Sequence, residues 1–204
     1  MTEPRRARTK KEVVTEFREN EIIDAAREVI ARDGLRRASM DKIAEAAGTS
    51  KGTLYLYFEN KEALVREATA RGHAALAAHI EAVMGRAEDP VAAIEAYIRA
   101  VIQFSDDHEL VFRAMNAHPE AAGDDAARTV DQHIQDYVDK LETVIRSGVK
   151  AERFQVSSPR RAARFLVEAV RGVVIERLRE AKSPSVGDDA ATLLQTYLNG
   201  IGVK

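Results

Sequence analysis

SMDKIAEAAGTSKGTLYLYF, residues 39–58, decides the fold. Two short helix-forming runs, 40–47 and 50–58, meet at Gly48 and Thr49. Ser39 stands where a helix wants an N-cap, and Ser50 opens the second run. Two short helices joined by a glycine-containing turn make the pattern of a helix-turn-helix. Ile43, Ala44 and Ala47 face inward in this reading, and the small Ala44 lets the helices approach closely. Leu54 and Phe58 lie four residues apart, so they share one face and bury together. Outside remain Ser50, Lys51, Thr53, Tyr55 and Tyr57, a set without a carboxylate. Hydroxyls, an amine and phenols suit a groove walled by phosphates. A corner of a plain helical bundle is compatible with the same spacing.

The dimensions agree with the groove. At about 1.5 Å per residue the second helix is roughly 13 Å long, and the major groove is about 12 Å wide. Gly52 has no side chain, so backbone can come close to DNA there. Tyr55 and Tyr57 project about 200° apart around the helix and reach different walls. Lys61 begins the next helix, where backbone N–H groups and an amine together can hold a phosphate, and Ser39 stands at another helix start.

Working outward, apolar residues repeat at three and four, and the chain reads as all-α with nine helices. A first helix is expected from Thr15 to Arg32, stopped by Asp33-Gly34. Beyond the quoted stretch, helices are expected at 61–85, 90–105, 109–116, 126–147, 159–181 and 188–198, with a loop over 117–125. The expected organisation is a flexible basic arm (1–14), a DNA-binding domain (15–60) and a ligand-binding and dimerisation domain (61–204). The arm has Arg5, Arg6, Arg8, Lys10 and Lys11 against Glu3. Such a run is either a solvated tail or a nucleic-acid contact.

Composition excludes much. The 204 residues contain no Cys, which removes disulfides, cysteine zinc sites, iron–sulfur clusters and a Cys nucleophile. No apolar run is long enough to span a bilayer, and no apolar segment follows the basic start, so a cytoplasmic protein without membrane partners is expected. The five histidines form no i, i+4 pair, so no metal or other cofactor is expected. Asp106-Asp107-His108 reads as a loop or helix cap, and no catalytic constellation is present, so the chain does not read as an enzyme.

The quoted stretch resembles the TetR/AcrR family of bacterial transcriptional regulators. The matching residues are Ser39, Ile43-Ala44, Ala47-Gly48, Ser50, Gly52, Tyr55-Leu56-Tyr57-Phe58, Lys61 and Leu64, with Ala25-Ala26 and Gly34 upstream. The likeness spans residues 20 to 65. Ile30 departs from a frequent aromatic residue, and Thr49 from a common Val. The resemblance implies that the second helix enters the major groove of double-stranded DNA. It implies base or phosphate contacts from Lys51, Gly52, Thr53 and Tyr55, and phosphate contacts from Ser39, Tyr57 and Lys61. Thr49 and Ser50, at the turn, complete the candidate interface. It also implies a homodimer formed through the last two helices, repression, and a small-molecule effector bound by the larger half. The effector's identity does not carry over, because that half diverges within the family.

In the C-terminal half, the stripe Ala162, Phe165, Leu166, Ala169, Val170, Val173, Val174 and Leu178 is wider than one core contact needs. With Leu194, Tyr197 and Leu198 of the last helix, residues Phe165, Ala169, Gly172 and Val173 are the dimer candidates. Tyr97, Phe104, Phe112, Met115, Tyr137 and Phe165 are the effector-pocket candidates, and they point to a hydrophobic effector. The polar groups Arg99, His108, Arg113, His118 and Arg171 read as surface residues. The expected function is a repressor released from a pseudo-palindromic operator, with the helix from Lys61 as lever. The alternative is a DNA-bound scaffold that recruits a protein and has no small-molecule effector.

Overall fold

The computed structural model describes residues 9–109, 112, 123–180 and 184–201, and all regular elements among them are helices. Eight are present among the described residues: α1 Lys10–Asp33, α2 Met40–Ala46, α3 Lys51–Tyr57, α4 Lys61–Met84, α5 Pro90–Asp107, α6 Gly123–Lys150, α7 Pro159–Arg179 and α8 Val186–Ile201. The all-α expectation holds. The chain divides into two compact units, Met1–Thr69 and Ala70–Lys204, and the division falls within α4. That places it nine residues past the expected boundary after residue 60.

In the first unit, α1 begins at Lys10, not at Thr15. The cause is a capping box: Glu12 N–H donates to Thr9 Oγ1 (3.2 Å), and Thr9 N–H donates to Glu12 Oε2 (2.7 Å). Residues 9–14, given to the arm, are therefore cap and helix. Arg5, Arg6 and Arg8 lie outside the described residues. Gly34 ends α1 with φ 79°, its N–H returning to Ile30 O at 2.8 Å. Gly48, with φ 61°, makes the turn between α2 and α3. Ile22, Ile23, Ala26, Val29, Ile43, Ala44, Leu54, Phe58 and Leu64 form the buried core of this unit. Burial of each large side chain contributes about 1.5–3 kcal/mol.

In the second unit, α5–α8 and the later part of α4 enclose a core that includes Leu76, Ile80, Ile94, Ile98, Ile102, Leu141, Ile145, Leu166 and Val170. Three details hold its ends. Arg177 donates to both oxygens of Asp106, to Asp189 and to Pro184 O, which ties α7 to the end of α5 and the start of α8. Gln155 N–H donates to Ile201 O at 2.8 Å. Gly148 lies against the buried Phe154 ring, and a Cβ there would stand 2.2 Å from Cδ2. The Asp106–His108 cluster ends α5, with His108 as its C-cap, as a cap reading requires. α6 starts at Gly123, inside the expected loop over 117–125. The rest of that loop, and Met115, Arg113 and His118, lie outside the described residues.

Candidate nucleic-acid interface and effector core

The interface residues collect on α3 and the ends that flank it. Ser50 caps α3: its Oγ accepts from Thr53 N–H at 3.0 Å and pairs with Thr53 Oγ1 at 2.8 Å. Ser39 caps α2 by accepting from Lys42 N–H at 3.4 Å. Both serines thus hold the helix ends, as their positions predict. α3 is seven residues long, roughly 10 Å, and still matches the groove.

Leu54 and Phe58 are buried, and the opposite side is open. Lys51 and Gly52 are exposed, Tyr55 is 45% exposed, and Thr49, Thr53 and Tyr57 are half-buried. The unequal burial of Tyr55 and Tyr57 follows from their angular separation. Leu56, which was not among the candidates, is 83% exposed. Its signal was available: the inward Leu54 and Phe58 leave position 56 on the far side. Gly52 has room for a side chain, with only Ser50 Oγ as near as 3.8 Å to a built Cβ. Glycine costs a helix about 1 kcal/mol relative to alanine. The fold of the free chain gives no reason for that cost here.

Two cations of this region already have partners. Lys51 Nζ lies 2.7 Å from Asp41 Oδ1 on α2, and this hydrogen bond holds its ammonium charged above the usual lysine range. Lys61 was expected to face a phosphate. Its Nζ instead donates to Leu35 O (3.2 Å) and Ala38 O (3.3 Å), fastening the start of α4 to the loop between α1 and α2. An ammonium has three protons, so one remains for another acceptor. Asp33 gathers Arg32 and Lys42, whose hydrogen bonds pull its carboxyl well below the usual range.

The second unit separates the candidates named for it. Tyr97 and Tyr137 are buried with ring centroids 6.3 Å apart, and Phe104 is half-buried, 6.4 Å from Phe112 and 4.1 Å from His108. Phe165, named as a pocket wall, is 68% exposed on α7 and cannot line the core of its own chain. Ala169 is half-buried, Gly172 is exposed with open space around it, and Val173 is half-buried against the core. Leu194, Tyr197 and Leu198 of α8 pack partly buried on the same chain's core. Tyr197 Oη donates to Ala162 O at 2.9 Å, so this dimer candidate is tied inward. Arg99 and Arg171 lie outside, paired with Glu95 and Glu168.

Two of the five histidines meet in this core. His73 of α4 is buried and stacks on His133 of α6, with ring centroids 4.7 Å apart. Burial, then the neighbouring imidazole, pulls the His73 pKa down to about 4. His73 Nε2 and Tyr137 Oη are buried without hydrogen-bond partners. The sequence signal was a histidine within the stripe 73, 76, 80 of α4.

Among the described residues, no helix is long and apolar enough to cross a membrane. A family model described as bacterial regulatory proteins, tetR family, matches residues 22–68. A second, described as tetracyclin repressor-like, C-terminal domain, matches residues 87–175. The nicotine-responsive transcriptional repressor HdnoR of Paenarthrobacter nicotinovorans is 27% identical over 201 residues, covering 94% of this chain and 99% of that protein. The fatty acid metabolism regulator protein of Bacillus subtilis is 57% identical over 42 residues, which span 21% of this chain and only 22% of that protein. The solved structure of the transcriptional regulator FadR from Bacillus subtilis in complex with stearoyl-CoA matches with TM-score 0.78 at 19% identity, over 89% of this chain and 98% of that one. At that identity the structural likeness shows the fold. With both halves matched by models of one family, and with a helix-turn-helix in place, the chain belongs to the TetR family of bacterial transcriptional regulators.

Proposed function

We propose that the protein is a homodimeric repressor which an apolar small molecule releases from a pseudo-palindromic operator. The observation that carries the DNA reading is the outer face of α3. Gly52 has unused room, and Tyr55 and Leu56 are exposed, without a reason in the fold. A surface that approaches the floor of the major groove accounts for all three. Lys51, Gly52, Thr53 and Tyr55 read or approach the bases in this proposal. Ser39, Thr49, Ser50, Tyr57 and the free proton of Lys61 hold phosphates. Residues 15–60 form the reading part, and residues 61–204 bind the effector and the second copy.

The exposed Phe165 and Gly172 and the half-buried Ala169 follow one another at helical spacing on α7, and we assign this face to the partner copy. Two recognition helices about 34–36 Å apart then read half-sites one helical turn apart. The effector reading draws support from the relatives: HdnoR is named nicotine-responsive, and FadR was solved with stearoyl-CoA. α4 runs unbroken from Lys61 to Met84, so a displacement of its later turns is carried to its first. Release from about 99% to 1% occupancy needs a difference of roughly 5.5 kcal/mol between the two states, which two bound effectors can share.

Genomic fragments captured on the purified protein at moderate salt test the reading. A few sharp palindromic sites are the expected result. Diffuse enrichment overturns it in favour of a scaffold. Tyr55→Ala supplies the residue-level check. Two copies each losing a base contact forfeit about 2–6 kcal/mol together, at least thirtyfold in operator affinity. The oligomeric state in the ultracentrifuge stays as in the parent protein. Retained operator affinity removes α3 from the role.

A further inference from the structure

The core of the second unit holds two polar atoms that the fold itself does not satisfy, His73 Nε2 and Tyr137 Oη. Buried polar groups in folded proteins nearly always have a hydrogen-bond partner. The orphans come from different helices yet belong to one cluster. His73 of α4 stacks on His133 of α6 at 4.7 Å. His133 and Tyr137 are four residues apart on α6, hence on one face. Tyr97 of α5 lies 6.3 Å from Tyr137. Three helices therefore converge on a polar spot inside a core otherwise lined by residues such as Ile80, Ile94 and Leu141.

Among the described residues, no buried unmatched charge belongs to this spot. Besides the phenols of Tyr97 and Tyr137, the buried polar side chains among the described residues are His73 and Ser105, and Ser105 Oγ is committed to Ile102 O at 2.7 Å. Arg177, the low-exposure cation of this unit, is matched by Asp106 and Asp189. Asp136 acts on the Tyr137 phenol and Glu168 on that of Tyr97, but both carboxylates belong to exposed residues. Burial keeps the His73 imidazole neutral near pH 7, and it pushes the Tyr137 phenol up to about 12. The spot thus presents a phenol O–H and an imidazole nitrogen that accepts or donates according to tautomer.

We infer that His73 and Tyr137 form the polar end of the effector site, shaped for one neutral hydrogen-bonding group, a hydroxyl or ketone carbonyl, on an otherwise apolar molecule. The inference rests on the ligand-responsive reading above and sets its chemical class. A hydroxyl or carbonyl that leaves water for this spot regains its hydrogen bonds there. A carboxylate or phosphate would lose its water with no counter-charge to replace it.

The test uses the full chain labelled with nitrogen-15 at histidine, with 1-decanol, 2-decanone and decanoate as probes. The His73 signal is assigned by its loss in His73→Leu, or in His73→Asn if the first variant does not fold. The alcohol or the ketone is expected to move the His73 signal at neutral pH, with at least about tenfold tighter binding than decanoate. Tyr137→Phe is expected to keep the melting temperature of the free chain, because the lost hydroxyl had no partner, and to weaken alcohol binding about fivefold. A His73 signal that stays still with both neutral probes overturns the inference. If decanoate alone moves it, the effector reading survives with an anionic class in place of a neutral one. If no probe moves it and Tyr137→Phe loses stability, the two atoms are structural and the effector reading falls at this core as well.

Discussion

The two units differ in where they keep their polar groups: outside in the first, inside in the second. Along α3 and at the start of α4 the candidate groups are outside, and most have local partners: Ser50 with Thr53, Lys51 with Asp41, Lys61 with two carbonyls. In the second unit, His73 and Tyr137 are inside and two of their atoms lack partners. The glycines invert in the same way. Gly52 has room that the fold does not use, whereas Gly148 has none, with Phe154 in the way. A surface that meets a highly charged partner can be assembled from short-range contacts and exchange them on binding. The interior cluster of the second unit depends on contacts between elements far apart in sequence.

Four changes probe that contrast, taken from the largest effect down. Arg177→Ala strands the Asp106 and Asp189 carboxylates and unfastens α7 from α5 and α8. It is expected to cost about 3–4 kcal/mol, read from urea unfolding, while α3 keeps its operator affinity at temperatures where the chain stays folded. Equal damage to stability in a Lys51→Ala chain would erase the distinction, since that pair is exposed and screened by solvent.

Acid comes next. His73 titrates at about 4 when folded against an ordinary 6.5. The unfolded chain therefore binds more protons between these values. The His73 contribution is whole above pH 6.5 and is lost as pH falls toward 4, amounting to about 3 kcal/mol. His73→Phe should flatten that part of the stability profile. A profile unchanged by the substitution would mean that His73 is not held neutral inside.

Gly148→Ala should destabilise by about 2 kcal/mol, since the new methyl displaces a buried ring. Gly52→Ala carries the smallest effect and the opposite sign. The free chain should gain about 0.5–1 kcal/mol, while operator affinity falls. A gain without any loss of affinity would show that nothing approaches α3 at Gly52.

The first unit was legible because its signals are local. Ser39, Gly48, Ser50 and Phe58 lie within one short stretch, and capping, turn and burial each act over three or four residues. The early start of α1 was equally local. Thr9 and Glu12 spell a capping box, and the charged run around them concealed it. The exposure of Phe165 was not legible, because Ala162, Phe165, Leu166, Ala169 and Val170 form one broad apolar stripe on α7. Period alone does not say which edge of such a stripe meets its own chain. The stack of His73 on His133 spans sixty residues of sequence and exists only once α4 and α6 are packed. The Lys61 contacts were not legible for a similar reason: the carbonyls of Leu35 and Ala38 become acceptors only through the loop that Gly34 begins.

Leu56 has a thermodynamic consequence. It is 83% exposed in the free chain, so in the proposed complex, seating α3 in a groove would strip water from its isobutyl group. Removing apolar surface from water lowers the heat capacity of the system. Phosphate contacts weaken as salt rises because they depend on counterion release, but the leucine contribution is indifferent to ions. Calorimetry of operator binding over a range of temperatures should therefore give a negative slope of enthalpy against temperature that persists at high salt and becomes shallower in Leu56→Ala.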